Sequence, residues 1–236
     1  MQARLIYVGI RLNMTCILAL DSATSACSVA VLQDGEIKAH SYEEMSRGQA
    51  EALVPMIADT MSTVGLAFKD LDAIGVTVGP GAFTGVRIGL STAQSLALAS
   101  GKPLIGATTL ETVLAAQGEA QAPILVALDT KRTDIYVQLF AAGGGALTAP
   151  LALEADKIST AVSLNGISVV GDAADRALQA LHELGFTANE LTGPKLPDAR
   201  WLARIVSHRV GADNPVPVAP LYLRPPDVGP PSKQRS

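Results

Sequence analysis

The sequence is organised around one stretch, Gly79-Pro80-Gly81-Ala82-Phe83-Thr84-Gly85-Val86-Arg87-Ile88-Gly89. The apolar run before it, residues 73–78, predicts a buried strand, and residues 86–100 after it predict a helix. Glycines at two positions allow a tight turn, and Thr84 stands where we expect the helix N-cap. The stretch therefore predicts a strand, a glycine turn and a helix N-terminus. Such a unit could receive an anion or simply pack tightly.

Two nucleotide-binding motifs can be compared with this stretch. The dinucleotide fingerprint requires a third glycine at position 84, where the chain has a threonine. A P-loop requires a lysine after the turn, and the sequence has none between Lys69 and Lys102. Arg87 alone could hold a phosphate by its charge. We therefore interpret the motif as structural, with the turn residues Gly79, Pro80, Gly81, Thr84 and Gly85.

The helix after the turn carries a small residue at every fourth position. Gly85, Gly89, Ala93 and Ala97 form one ridge, which would let another helix approach closely. Residues 88–101 contain no charged side chain, so no face of the helix is suited to water. Interspersed serine and threonine argue against a membrane span. We expect this helix to be buried in its own domain or in a partner.

Composition favours a globular protein. The 236 residues are 48% hydrophobic and 17% charged, which is enough apolar material for a substantial core. A net charge of -4 and 4% aromatic residues argue against a chain that grips nucleic acid by itself. Cys16 and Cys27 are expected to be buried free thiols. No secretory signal is recognisable, residues 1–13 read as a leader or a start-site extension, and we expect a cytoplasmic protein.

Before the glycine turn, the pattern predicts three strands and a helix. The strands cover residues 16–21, 27–32 and 36–43, and the helix covers residues 48–64. Pro55 should kink this helix or mark its true beginning.

The apolar arc of this helix is wider than one sheet requires. Ala50, Val54 and Ala58 widen it to roughly 200° of the helical wheel. The surplus indicates either a second contact surface, such as another helix, or a helix sandwiched inside its own domain. The pattern of this element alone leaves both open.

The second half of the chain repeats the opening of the first. Ala127-Leu128-Asp129-Thr130 matches Ala19-Leu20-Asp21-Ser22 at an offset of 108 residues, and a second strand, residues 135–140, follows at the same distance. This repetition predicts two related subdomains, residues 14–120 and 121–224. Further predicted elements are helices over 110–117, 175–184 and 198–210, a final strand over 218–223 and a disordered tail over 225–236.

Few residues carry obvious chemistry. His40, His182 and His208 each stand alone in their elements, so no helical metal pair is present in the sequence, and we expect no metal. Asp21 and Asp129 could face each other across a cleft and position a metal-bound phosphate, as a vestigial phosphate loop. Capping of the turn by each carboxylate is the alternative that we favour.

Four segments together resemble a known family. Residues 17–28, 79–89, 104–110 and 220–224 look like the TsaB (YeaZ) family, the partner subunits in bacterial synthesis of threonylcarbamoyladenosine in tRNA. The resemblance is strongest in the first half of the chain. It implies an α/β fold of the actin/hexokinase-like (ASKHA) type, with two similar βββαβαβα-type subdomains.

The resemblance also implies a role without catalysis. The paralogous enzyme family, TsaD, carries a His-x-x-x-His metal pair on a helix of its N-terminal half, and this chain has none. The chain thus resembles a non-catalytic subunit with no cofactor, which supports TsaD in threonylcarbamoyl transfer to the N6 of the tRNA adenosine beside the anticodon.

The implied partners are a TsaD-type catalytic subunit, a TsaE-type ATPase and, when TsaD is absent, a second copy of the chain. The tRNA would be bound only through the complex, and no membrane is involved. By position, the docking helices are residues 49–64 and 86–100. The expected interface residues are Gln49, Leu53, Met56, Ile57, Thr60, Val86, Arg87, Ile88, Gly89, Leu90 and Ala93.

The main alternative is a small ASKHA-type ATP-dependent phosphotransferase. It would use Asp21 and Asp129 around Mg-ATP. A stand-alone tRNA binder is a third class, which the acidic net charge disfavours.

Overall fold

A computed structural model describes residues 15–118, 120–211 and 218–224 of the chain. The predicted leader, residues 1–13, and the predicted disordered tail, residues 225–236, lie outside the described residues. Two five-stranded mixed sheets, each flanked by helices, make up the described part. None of its helices is long and apolar enough to cross a membrane.

The first half of the chain builds the first sheet. Its elements are β1 (Cys16–Asp21), β2 (Ala26–Gln33), β3 (Glu36–Glu44), α1 (Gln49–Val64), β4 (Ala73–Thr77), α2 (Phe83–Ser100), β5 (Leu104–Ala107) and α3 (Thr109–Ala115). The strand order is β3-β2-β1-β4-β5, with β1 to β3 antiparallel and with β4 and β5 parallel to β1. Asp34 and Gly35 form the hairpin turn between β2 and β3, with φ of 54° and 82°.

The second half repeats this plan. Its elements are β6 (Ile124–Asp129), β7 (Asp134–Phe140), β8 (Leu151–Glu154), β9 (Ile167–Val170), α4 (Ala174–Glu183), β10 (Ala188–Glu190) and α5 (Ala199–Arg209). The order β10-β9-β6-β7-β8 is that of the first sheet read backwards, and β6 takes the central place of β1. A short 3-10 helix, Ala155–Thr160, stands where the first half has α1. The predicted α/β fold of the ASKHA type, with two similar subdomains, is confirmed.

Each sheet is covered by helices on both faces, which explains the continuous apolar runs of its central strand. Along β1, Leu18 and Leu20 pack towards α1 and α2. The alternating residues, Ile17 and Ala19, pack towards α5. All four side chains are completely buried.

Two helices pack on the sheet of the opposite half. Leu202 and Val206 of α5 belong to the core on the first sheet, whereas Leu110 and Val113 of α3 lie in a core on the second sheet. We use "lobe" for each sheet with the helices packed on it. Helices α3 and α5 therefore cross over to cover an apolar face of the opposite sheet, and the subdomain bounds of 14–120 and 121–224 stay a prediction.

Several local predictions differ from the structure. Helix α2 begins three residues before the predicted start, so its N-cap is Ala82 and not Thr84. Helix α1 continues through Pro55, so the proline neither begins nor ends it. The predicted final strand over 218–223 has no regular secondary structure, although Leu221 donates a backbone hydrogen bond to Val78. Both cysteines are buried free thiols, as expected.

Candidate functional site

The glycine turn packs against the loop that follows β1. The Ala82 N–H donates to the Ala23 carbonyl oxygen at 2.8 Å. A Cβ atom on Gly81 would lie 2.1 Å from that oxygen, and one on Gly85 would lie 2.2 Å from the Ser22 carbonyl oxygen. The protein's own carbonyl groups therefore lie directly against Gly81 and Gly85, where a larger side chain would collide with them. The geometry favours the structural interpretation of the motif.

The small-residue ridge of α2 packs against residues of its own lobe. Gly85, Gly89 and Ala93 are buried, and a Cβ on Gly89 would lie 2.8 Å from Ser22 Oγ. Ser22 Oγ also donates to the Gly85 carbonyl at 2.9 Å. The ridge therefore admits the β1–β2 loop rather than a partner's helix, which corrects the expectation drawn from its spacing.

A cleft of about 410 Å³ lies between the two lobes. On the first lobe it is lined by the start of α1 and by the glycine turn, including Gly48, Glu51 and Thr84. On the second lobe it is lined by the β6–β7 loop and by Asp172, which follows β9. Because both lobes border the cleft beside the motif residues, it is one candidate site.

The two predicted aspartates do not face each other across this cleft. Asp129 lines it, with a side chain 24% exposed and paired with Lys131 and Arg176 at 3.1 and 3.3 Å. Asp21 is completely buried and does not line it. Each carboxylate accepts a hydrogen bond from the backbone N–H two residues ahead, at Ala23 and Lys131. This is the turn-capping geometry that we favoured.

Burial determines the protonation of Asp21. It raises the pKa of the carboxyl group from 3.8 to about 7, against the opposing hydrogen bonds from Thr77 Oγ1 (2.5 Å) and the Ala23 N–H (3.3 Å). The second carboxyl oxygen, Oδ2, has no hydrogen-bond partner and is shielded from solvent. Asp21 is therefore a buried acid that is protonated over much of the acidic range, not a ligand in the cleft.

Asp172 is a cleft residue that the sequence reasoning missed. Its Oδ1 accepts a hydrogen bond from the Asp129 N–H at 2.7 Å, and burial raises its pKa. The signal available was its position directly after a strand and a glycine, in the sequence Gly171-Asp172. Among the described residues, no group of three histidine, cysteine, aspartate or glutamate side chains is placed to hold a metal ion.

Most of the expected interface residues lie in the core of the first lobe. Exposure of the side chains of Leu53, Ile57, Thr60, Val86, Leu90 and Ala93 is 4% or less, and Gly89 is buried as well. In this conformation these seven residues are covered within the first lobe, by its sheet and by the β1–β2 loop, so their side of the helices is not the one left for a partner. Of the other four, Arg87 is exposed, and Gln49, Met56 and Ile88 are half-buried.

An exposed seam nevertheless remains on these helices. Ala50, Val54 and Ala58, which widened the apolar arc of α1, are exposed, and Val54 is 58% exposed. Ala50 lines a shallow groove together with residues of α2. We define the α1–α2 face by the residues Ala50, Val54 and Ala58 of α1 and Thr84, Ile88, Ser91 and Thr92 of α2. The face also includes Leu98, farther along α2, which is 86% exposed.

Arg87 is a charged residue beside this face, and its charge is engaged within the chain. Its guanidinium carbon lies 3.7 Å from the centre of the Phe83 ring, and its Nε donates to Tyr222 Oη at 2.9 Å. A cation above an aromatic ring gains electrostatic stabilisation. Phosphate binding by Arg87, the alternative to the structural interpretation that we favoured, finds no support in this arrangement.

Comparisons with known proteins agree with the resemblance of the sequence motifs. Residues 41–192 match the family model described as TsaD, tRNA N6-adenosine threonylcarbamoyltransferase. The chain is 42% identical over 124 residues to the tRNA threonylcarbamoyladenosine biosynthesis protein TsaB of Escherichia coli, and 37% identical over 126 residues to that of Haemophilus influenzae. These matches cover 51% and 52% of this chain, and the chain spans about half (52%) of the length of each relative.

A solved structure matches over a longer part of the chain. YeaZ from Pseudomonas aeruginosa superposes with a TM-score of 0.75 and 27% sequence identity. The superposition covers 89% of this chain and 100% of that chain. The similarity therefore includes both lobes, and not only the half that matches TsaB in sequence.

Proposed function

The chain belongs to the TsaD family of tRNA N6-adenosine threonylcarbamoyltransferases, and we propose that it acts there as a non-catalytic partner subunit. Within the family, the predicted resemblance to TsaB (YeaZ) is confirmed. In this proposal the chain binds a TsaD-type catalytic subunit, with a TsaE-type ATPase joining the complex. The catalytic subunit transfers the threonylcarbamoyl group to the N6 of the tRNA adenosine beside the anticodon.

The observation that carries this proposal is the exposed α1–α2 face. Val54 and Leu98 expose 58% and 86% of their surface on helices that otherwise contribute to the core. An apolar seam on a soluble protein marks a surface where a partner is favoured, since each Å² removed from water contributes about 25 cal/mol. In the cleft, by contrast, both aspartates are engaged within the chain: Asp129 caps its turn and pairs with Lys131 and Arg176, and Asp172 accepts a hydrogen bond from the Asp129 N–H.

We propose that the same face pairs two copies of the chain when the catalytic subunit is absent. The residues of the face are small or apolar, and the charges of Glu51 and Arg87 lie at its margin. The tRNA would then be bound through the complex, since the chain itself has a net charge of -4.

The test of the docking proposal is the substitution Val54→Glu, with binding to the TsaD-type subunit measured by calorimetry. A carboxylate placed in the seam would have to be desolvated on docking, which should weaken binding by about tenfold or more. Leu147→Glu is the matched control, because Leu147 is 50% exposed on the second lobe and far along the chain from both helices. Folding of each variant is checked by its circular dichroism and thermal transition.

Unchanged affinity of a folded Val54→Glu variant, and of a Leu98→Glu variant, would contradict docking through the α1–α2 face. An equal loss in the Leu147→Glu variant would show that the effect is not specific to the face. Light scattering of the isolated chain and of Val54→Glu then tests the self-pairing, which the substitution should reduce.

The alternative phosphotransferase is not favoured by any observation at the cleft. It would need both predicted aspartates to face the nucleotide, and Asp21 is enclosed by the sheet and by Thr77. Calorimetry of the isolated chain with Mg-ATP separates the two functions. Tight binding with turnover would support the phosphotransferase and would speak against a subunit without catalysis.

A further inference from the structure

Residues 218–224 run across the junction of the two lobes without forming a helix or a strand. At the start of this segment, Val218 and Leu221 pack against the core between the first sheet and α1–α2. The Leu221 N–H donates to the Val78 carbonyl oxygen at 2.7 Å, directly after β4. The first part of the segment is therefore attached to the first lobe by both backbone and side chains.

The middle of the segment is attached to the start of α2. The rings of Tyr222 and Phe83 lie 4.9 Å apart, centre to centre. Arg87 covers the Phe83 ring and donates from Nε to Tyr222 Oη at 2.9 Å. Ring contact with Phe83 and the hydrogen bond from Arg87 thus hold one residue, Tyr222, and the cation above the Phe83 ring ties its two partners together.

The end of the segment is attached to the second lobe. Leu223 packs against the core that contains β6, β7 and α3. Arg224 donates from Nη1 to both carboxylate oxygens of Asp134, at 2.8 and 2.9 Å. The two side chains are 28% and 17% exposed, and Asp134 is also held by Thr130 Oγ1 at 2.7 Å. Partly buried, charge-assisted hydrogen bonds of this kind are stronger than exposed ion pairs.

The segment also lies directly beside the interlobe cleft. Gly81, Ala82, Thr130 and Tyr136 line the cleft of about 410 Å³ and also a small pocket of about 140 Å³ that the segment covers. The crossing helices α3 and α5, which join the lobes elsewhere, contribute no residue to the cleft lining. Within the part of the chain that the structure describes, α3 and α5 join the lobes at one place, and residues 218–224 join them at another, on the cleft side.

We propose that residues 218–224 form an interlobe strap, which fixes the opening of the cleft. Two lobes joined at one place hinge readily about that place. A second attachment beside the cleft removes this freedom as long as Tyr222 and Arg224 keep their partners. Release of the Arg224–Asp134 pair lets the lobes separate on the cleft side, while the fold of each lobe is kept.

The proposal is tested on the isolated full chain, so its failure would leave the docking proposal untouched. Spin labels are attached at Ser62→Cys in α1 and Ser163→Cys in the second lobe, both of which are exposed. The native cysteines are 6% and 0% exposed and should not react in the folded protein. Pulsed electron spin resonance then gives the distribution of the interlobe distance.

We expect one narrow distribution in the labelled parent and in the control Lys69→Gln, which removes an exposed charge from the first lobe. Arg224→Gln should add a second population at longer distance, and Asp134→Asn should do the same. The double variant Arg224→Gln/Asp134→Asn should give the same distance distribution as either single variant, because each single substitution already removes the same ion pair. Should one of these variants fail to fold, Tyr222→Phe tests the strap at its other attachment.

A distribution in folded Arg224→Gln and Tyr222→Phe that equals that of the Lys69→Gln control overturns the proposal. So does a double variant that broadens the distribution by the sum of the two single effects, since the two residues would then act independently.

Discussion

At the scale of single residues, the most unusual group is the carboxyl of Asp21. It stands at the end of β1, where strand, loop and glycine turn meet, and is completely buried. Burial raises its pKa from 3.8 to about 7. The folded protein therefore binds the proton of this group more tightly than the unfolded chain does, and protonation is linked to stability.

The sign of this linkage predicts a pH dependence of the unfolding free energy. The contribution of Asp21 is most favourable below pH 4, falls as the pH rises to about 7, and is constant above that. Three units of pKa correspond to roughly 4 kcal/mol. Asp21→Asn keeps an oxygen that can accept from Thr77 but cannot ionise. In this variant we expect the unfolding free energy to lose the part of its decline with pH that Asp21 contributes. Urea unfolding at pH 5 and pH 8, followed by Trp201 fluorescence, measures this change.

The control for this experiment is Asp59→Asn, at an exposed position of α1. It should keep the pH dependence of the parent. Equal pH slopes for the parent and Asp21→Asn would refute the assignment of a raised pKa to this carboxyl group.

At the scale of elements, the contact of α2 with the β1–β2 loop predicts how the protein tolerates a side chain at Gly85. Gly85 is a helical residue, so alanine would be the better helix former there by about 1 kcal/mol. Its Cβ, however, would lie 2.2 Å from the Ser22 carbonyl oxygen, which belongs to backbone and cannot move aside cheaply. We expect Gly85→Ala to lower the unfolding free energy by about 1–3 kcal/mol, because overpacking outweighs helix propensity.

Chemical denaturation measures this loss. Gly143→Ala is the matched control, since nothing lies within 4 Å of a Cβ atom there and its backbone does not require glycine. A Gly85→Ala variant that is as stable as the parent, or more stable, would show that the loop is not seated as tightly as the structure indicates.

The elements themselves could largely be predicted from the sequence, whereas their exposed sides could not. The bounds of α1 and the paired openings at Asp21 and Asp129 follow from local periodicity and repetition. The outward side of α2 does not follow from periodicity or repetition, because small residues can border a partner's helix or the protein's own backbone equally well. Gly85 and Gly89 border the Ser22 backbone and side chain, a contact made by residues more than 60 positions apart.

At the scale of the whole molecule, the exchange of α3 and α5 between the lobes was beyond the reach of sequence patterns. An amphipathic helix shows that it has an apolar side, but not which of two similar sheets it will cover. Here α5 covers the face of the first sheet that contains Ile17 and Ala19, and α3 covers a face of the second. The Arg209 guanidinium at the end of α5 donates to the Glu111 carboxylate of α3 at 2.8 Å, which joins the two crossing helices.

This exchange predicts that the first repeat does not fold alone. A fragment of residues 15–118 lacks α5, so it would expose one face of its sheet, on which Ile17, Ala19 and Ile105 are at most 5% accessible in the full chain. We expect this fragment to show no cooperative urea transition by circular dichroism and to bind a hydrophobic dye. A longer fragment of residues 15–211 retains α5 but not the strap, and should unfold cooperatively with a slope in urea close to that of the full chain, because it buries nearly the same surface. A cooperative transition of the 15–118 fragment would mean that the sheet is stable with one face uncovered, and the lobes would then be independent units along the chain after all.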